Sequence, residues 1–271
     1  MEKREVLEQA LKRLKMPGVS NALEMRLAEA RESKLGHLGF LSLLIQVELA
    51  SREDSMFARR LKAAGFGVEK TLQEFDFHFN EKALPPATLG DLAGCHFVAQ
   101  RQNLVIGGPP GIGKTHVVKA IGHEVCRRGY HVLFRTTQRL LGELLADSAE
   151  HAERMLRHAV RVDLLVLDDF AFRKLDQKEA ERLFVVAEER LGKASTVLTS
   201  NRPPQDWYAI FPDPVVGGAV LRPNGLFGHQ AHQHHGQLVP QRSHGQSDAL
   251  LKQGHRELAF LRHQGRLRRQ A

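Results

Sequence analysis

A chain of 271 residues, 42% of them hydrophobic and only two of them cysteine, is long enough for one large domain or two modest ones, with neither a disulfide framework nor a zinc-knuckle spacing. No window offers the roughly 18 uninterrupted apolar residues of a membrane span, and the N-terminus, Met1-Glu2-Lys3-Arg4-Glu5, is charged and helical rather than a signal peptide with an apolar centre, so a cytoplasmic protein with no membrane partner and reduced thiols at Cys95 and Cys126 is expected. The net charge of +8 does not mark the body as a nucleic-acid binder: residues 222–271 hold 8 basic and 2 acidic side chains, residues 1–100 balance at 14 and 14, and residues 101–221 carry 17 and 15.

In chain order, residues 2–15 read as a helix with Val6, Leu7, Ala10, Leu11 and Leu14 on one apolar stripe, broken by Met16-Pro17-Gly18. A second helix carries Ala22, Leu23, Met25 and Leu27. A third runs from about Leu38 to Ala64, with Phe40, Leu43, Leu44, Val47, Phe57 and Leu61 at helical spacing and Gly65 and Gly67 ending it. Together they make a small all-helical module, residues 1–67. Arg59, Arg60 and Lys62 near its end could meet phosphate or form a solvated face. Residues 68–90 are a connector in which Phe75, Phe77 and Phe79 alternate, which suits a linker pinned onto an apolar surface. A helix from about Leu89 to Ala99 then opens an α/β core at residues 91–221.

The core begins with the apolar run Leu104-Val105-Ile106, followed by Gly108-Pro109-Pro110-Gly111-Ile112-Gly113-Lys114-Thr115 and a helical segment from Val117 to Arg128 that stops at Gly129. Strand, glycine-rich turn and helix is the context in which G-x-x-x-x-G-K-[ST] makes a phosphate-binding loop. A triphosphate needs many backbone N–H groups aimed at one place, so the chain must curl with no side chains in the way. The loop from Gly108 through His116 supplies those groups, and the new helix adds its positive end. Lys114 can reach the β- and γ-phosphates of ATP, and Thr115 can offer its hydroxyl to Mg²⁺.

His131 to Arg135 reads as a second strand and residues 138–160 as a helix with Leu140, Leu141, Leu144 and Leu145 inward. Asp163-Leu164-Leu165-Val166-Leu167-Asp168-Asp169 is a buried parallel strand delivering two carboxylates to the sheet's C-terminal edge, where ligands bind in open α/β sheets. Asp168 is placed to hold Mg²⁺ and Asp169 to orient or deprotonate the attacking water. Gln177 to Leu191 form a further helix. Ser195 to Asn201 is a strand with a polar tip, where Asn201 either bonds the γ-phosphate or the attacking water, or serves as a turn residue before Arg202-Pro203-Pro204.

With these residues assembled, the chain resembles the IstB-like ATP-binding proteins, helper ATPases of insertion sequences in the AAA+ class that are similar to the DnaC helicase loaders. The resemblance covers residues 7 to about 221. It includes Leu14-Lys15-Met16-Pro17-Gly18, the phosphate loop, Cys126-Arg127-Arg128-Gly129-Tyr130, Leu164 to Asp169, Thr199-Ser200-Asn201-Arg202-Pro203, Trp207 and Phe211-Pro212-Asp213-Pro214. It implies a P-loop ATPase fold and a homo-oligomer on double-stranded DNA, bound without sequence preference, that recruits or activates the transposase of the same element. It also implies an arginine reaching the γ-phosphate held by a neighbouring subunit. The readings that compete with it are a helicase loader of DNA replication and a non-catalytic nucleotide-binding interaction protein.

The likeness departs at Leu221. The family pattern continues with Asp-Arg-Leu on a helix, a fifth strand and a Ser-Tyr-Arg-like segment. This chain instead reads Arg222-Pro223-Asn224-Gly225 and then a tail dense in His and Gln. His232, His234 and His235 lack the carboxylate or cysteine that would complete a metal set, and read as a source of adventitious retention on metal columns. Residues 222–242 can be back-translated, with synonymous codons freely chosen, so that the second frame gives Asp-Arg straight after Leu221 and Ser-Tyr-Arg at about the family distance. The expectation is an out-of-frame tail over residues 222–271, disordered or poorly packed from about Pro223, on a chain that binds ATP with little or no hydrolysis. The alternative is a native His-rich tail.

Overall fold

The computed structural model describes residues 2–68, 70, 86–221 and 239–240; side-chain surroundings are described for 4–68, 70 and 90–221. The phenylalanine-rich connector and most of the His-rich tail lie outside these residues, so the expectations placed on them do too. Three helices come first: α1 (Glu2–Arg13), α2 (Pro17–Glu32) and α3 (His37–Ala64). Pro17 does not merely break the pattern; it stands in the first turn of α2, where a missing N–H costs nothing and the fixed φ helps. The turn before it is made by Lys15 in the left-handed region, at φ 54°. Gly18 is required by close approach, since a Cβ there would lie 2.7 Å from Ser51 Cβ and 3.0 Å from Glu48 Cα on α3. The Glu48 carboxylate caps this junction by accepting from Val19 N (3.1 Å) and from Arg52 Nε (2.8 Å), while Arg52 also donates to Lys15 O. Gly65, at φ 76°, terminates α3.

The predicted helix at 89–99 is two helices, α4 (Pro86–Ala93) and α5 (His96–Ala99), because Cys95 adopts φ 56° and interrupts the ladder. Then follow β1 (Leu104–Gly107), α6 (Lys114–Arg127) and β2 (Val132–Thr136). The expected helix at 138–160 also divides, into α7 (Thr137–Leu144) and α8 (Ala149–Arg161), where the Ser148 hydroxyl accepts from His151 N and starts a new helix. β3 (Leu164–Phe170), α9 (Gln177–Arg190) and β4 (Ser195–Ser200) complete the repeating pattern. A capping box between Asp176 and Glu179 fixes the start of α9. A 3₁₀ turn (Pro204–Ile210) and α10 (Pro214–Val220) close the core.

β1 to β4 form a parallel sheet in the order β2-β3-β4-β1, and β5 (Val239–Pro240) pairs antiparallel on the outer side of β1. The strands are almost wholly buried because both faces are covered; β1 and most of β3 are apolar, while β4 also buries the hydroxyls of Ser195, Thr196, Thr199 and Ser200. Their side chains alternate: Leu164 and Val166 enter a core with α6 and the end of α3, while Leu165 and Leu167 enter a second core with α7, α8 and α9. This is the α/β fold expected, a parallel sheet with a glycine-rich loop after its first strand, flanked by helices and preceded by helices. No described helix is long and apolar enough to cross a membrane.

The N-terminal helices depart from expectation in one respect. Of the stripe read on α1, Leu11 is buried, but Val6, Leu7 and Leu14 are exposed. The apolar cluster there consists of Leu11, Val19 and Leu23, edged by Met16, Leu27, Phe40 and Leu44. α3 belongs to both regions, since Phe57, Leu61 and Ala64 at its far end pack into the sheet core.

Candidate nucleotide site

β1 delivers the chain into the loop at Gly107, and α6 receives it at Lys114. Between them Gly108, Gly111 and Gly113 take φ of 149°, 83° and 89°, a region in which a side chain is strained, and a Cβ at Gly108 would overlap Ile112 Cδ1. Pro109 and Pro110 form the exposed rim, and His116 lies in the first turn of α6. Lys114 Nζ donates to the carbonyls of Gly108 and Pro109, each at 2.8 Å, so the ammonium is folded over the loop it rises from. Burial pushes the Lys114 pKa down, and the charges of Asp169 and Asp168 push it back up.

The strand order places β4 between β1 and β3, so the acid pair at the end of β3 faces the loop across one strand. Asp168 is buried and accepts from Thr115 Oγ1 at 2.9 and 3.2 Å, and also from Thr199 Oγ1. Thr137 Oγ1 donates to the Asp168 carbonyl at 3.1 Å. Asp169 is unlike its neighbour: its φ is 53°, it is half-buried, and its N–H donates to Thr199 Oγ1 at 3.0 Å. Desolvation first, and the nearby Asp168 second, raise its carboxyl above the ordinary range, opposed by Lys114. Two adjacent carboxylates therefore have different surroundings, one held by two hydroxyls and one desolvated near a lysine.

Ser200 Oγ donates to Phe170 O at 2.8 Å, and its carbonyl accepts from Gly108 N at 3.2 Å, so the tip of β4 ties the acid strand to the phosphate loop. Asn201 follows directly, exposed at the same edge. The structure thus brings together Gly108 to His116, Asp168, Asp169 and Asn201. Thr137, Thr199 and Ser200 were not foreseen as site residues; the signal that could have found the last two is a pair of hydroxyls at the C-terminal end of a buried strand. Curled backbone, a helix N-terminus and a lysine fit a triphosphate. A hydroxyl and a carboxylate within hydrogen-bond reach are hard oxygen donors that fit Mg²⁺.

Other candidates serve the scaffold. Arg60 Nε donates to Cys126 O at 2.9 Å and Arg59 Nε to Ser55 O at 3.3 Å, so two of the three basic residues late in α3 bond backbone carbonyls. Cys95 and Cys126 are buried free thiols, and burial pushes Cys126 up to about 12.

The family described as IstB-like ATP binding protein matches residues 9–237 of the chain, a span that runs beyond Leu221. An ATP-binding protein of an insertion sequence from Mycobacterium tuberculosis is 39% identical over 217 residues, 79% of this chain and 86% of that protein. The ATP-binding protein of the insertion sequence IS21 from Pseudomonas aeruginosa is 35% identical, over 79% of this chain and 81% of its own length. Among solved structures, DnaI is similar with a TM-score of 0.49 at 18% identity, covering 63% of this chain and 91% of that one.

Proposed function

This chain belongs to the IstB-like ATP-binding proteins, and from that premise we propose that it is the ATP-binding helper of a DNA transposition system. In this reading it forms a homo-oligomer on double-stranded DNA and recruits or activates the transposase of its own element. The observation that supports the reading most is the meeting of Thr115 on the loop helix with Asp168 on β3 at 2.9 Å, within a chain matched to the family over most of its length.

The loop N–H groups and Lys114 bind and orient the triphosphate of ATP. Thr115 and Asp168 would hold Mg²⁺, which would neutralise charge on the phosphate oxygens. Asp169, with its carboxyl raised by desolvation, is suited to take a proton from a water, and Asn201 orients that water or the γ-phosphate. Turnover in this copy is low, because the sequence after Leu221 aligns no arginine with the trans-acting one of the family. Such a residue is worth about 10³–10⁵ in rate in related phosphoryl-transfer enzymes.

The test uses the full chain. ATP binding by nucleotide titration, duplex DNA binding that weakens steeply with salt, and co-purification with the transposase encoded beside it are expected together. Absence of DNA affinity at low salt, or association with a replicative helicase in place of a transposase, would overturn the transposition reading. A normal hydrolysis rate would overturn the impaired-turnover reading while leaving the first intact. Nucleotide sequence across codon 222 decides whether a second frame carries the Asp-Arg continuation.

A further inference from the structure

We propose that Thr199 is a positioning residue that sets the geometry of both carboxylates, and so determines how strongly Mg²⁺ supports ATP binding. The inference rests on the nucleotide-site reading and extends it to a side chain on the neighbouring strand.

The argument starts from the register of β3 against β4. Leu167 pairs with Leu198, but the next paired residues are Phe170 and Ser200. Three steps along β3 therefore match two along β4, and the extra residue makes a bulge at Asp168 and Asp169. A bulge re-aims side chains, and here it turns Asp169 into a left-handed conformation at φ 53°. It also takes a backbone N–H out of the regular ladder, and that group needs a partner inside the protein. Thr199, fully buried, stands opposite the bulge and accepts from Asp169 N at 3.0 Å.

The direction of the remaining hydrogen bond follows from chemistry. An amide N–H can only donate, so Thr199 Oγ1 is the acceptor there, and its single proton is left to give elsewhere. It goes to Asp168 Oδ1. One hydroxyl thereby fixes the backbone of Asp169 and the carboxylate of Asp168 at once. Thr115 is the other donor to that carboxylate, and in the nucleotide-site reading it would also be a ligand of the metal. Thr199 has no such second duty, so it would hold Asp168 in place while Thr115 serves the metal. The other hydroxyls of β4 are engaged elsewhere: Ser195 bonds Phe97 O, Thr196 receives Arg190 and Ser200 bonds Phe170 O.

The test compares wild-type full chain with Thr199→Val, which keeps the shape and removes the hydroxyl, and Thr199→Ser, which restores it. A fluorescent ATP analogue is titrated with Mg²⁺ and again with EDTA. Loss of an orienting partner of a metal ligand costs about 10–100-fold in metal affinity. We expect the Mg²⁺-dependent gain in nucleotide affinity to fall about tenfold in Thr199→Val, the EDTA affinity to stay within about twofold, and Thr199→Ser to recover the gain. Equal losses with and without Mg²⁺ would mean a structural role only and overturn the proposal, as would an unchanged gain. If Thr199→Val does not fold, Thr199→Ala, which leaves a small void, takes its place. A second readout needs no ligand: the Asp169 amide should exchange with deuterium faster in Thr199→Val than in wild type, and equal rates would overturn the proposal. A wild-type chain that fails to bind ATP refutes the nucleotide reading by itself, while the amide measurement still decides whether Thr199 holds the bulge.

Discussion

The sheet region and the N-terminal helices are held together by different physics. Around the sheet, two apolar cores close on either face and even the charged residues inside are fully bonded. Arg190, 1% exposed, donates to the carbonyls of Ala159, Val160, Val162 and Ser195 and to Thr196 Oγ1, knotting the end of α8 to the start of β4. Burial lowers its pKa to about 10, so it remains charged at neutral pH. The N-terminal helices, by contrast, bury few apolar side chains and leave Leu38, Leu41, Ile45 and Leu49 exposed along one face of α3. What defines their arrangement is a close crossing at Gly18 and the Glu48–Arg52 clamp. The candidate nucleotide site therefore rests on the half with the larger cores, and the Met16-Pro17-Gly18 turn, one of the motifs that carry the family resemblance, lies on the half with the smaller core.

The largest effect expected is one that separates ligand binding from both regions. Lys114→Ala should weaken ATP binding by at least about 100-fold, since charge-assisted bonds to phosphate are worth about 1.5–3 kcal/mol each. The melting temperature should stay unchanged; retained affinity in a nucleotide titration would remove the loop from the site. Next comes Arg190→Met, which strands several buried carbonyls and should cost about 3–5 kcal/mol by denaturant unfolding. A loss under 1 kcal/mol would mean that the sheet region does not depend on this knot.

Gly18→Ala sharpens the contrast from the other side. The new methyl meets Ser51 and Glu48 of α3, and overpacking of this kind costs about 1–3 kcal/mol. Hydrogen exchange should speed up in α1 and α2 and stay slow in β3 and β4. Uniform acceleration would show that the two regions unfold as one. The clamp adds a pH signature: its hydrogen bond from Arg52 holds the Glu48 carboxyl below its ordinary value of 4.5. The stabilisation is therefore complete above 4.5 and is lost as pH falls through the lowered folded value, so acid should loosen α1 and α2 first.

The smallest effect concerns Asp169. Its folded carboxyl keeps a proton to higher pH than the unfolded one, so its ionisation costs stability as pH rises above 3.8. Asp169→Asn should raise the melting temperature slightly at neutral pH and leave it unchanged well below that value. A lower melting temperature in calorimetry would contradict the sign.

Much of this was legible in the chain. Gly108 to Thr115 declared the loop because glycine and lysine at those spacings serve one local geometry. The four parallel strands and the end of α3 at Gly65 followed from apolar runs and turn residues. Such signals depend on a residue's near neighbours, so sequence carries them. What remained hidden depends on partners distant in the chain. The stripe on α1 looks like a core face, yet whether Val6, Leu7 and Leu14 are covered depends on which helices cross it. The helix expected at 138–160 breaks at Ser148, where the hydroxyl competes for the backbone and wins. Only the folded sheet decides that β4 lies between β1 and β3, that Thr115 meets an aspartate 53 residues away, and that Thr199 reaches the bulge 30 residues before it. A hydroxyl in a strand has no role until the strand order gives its one proton somewhere to go.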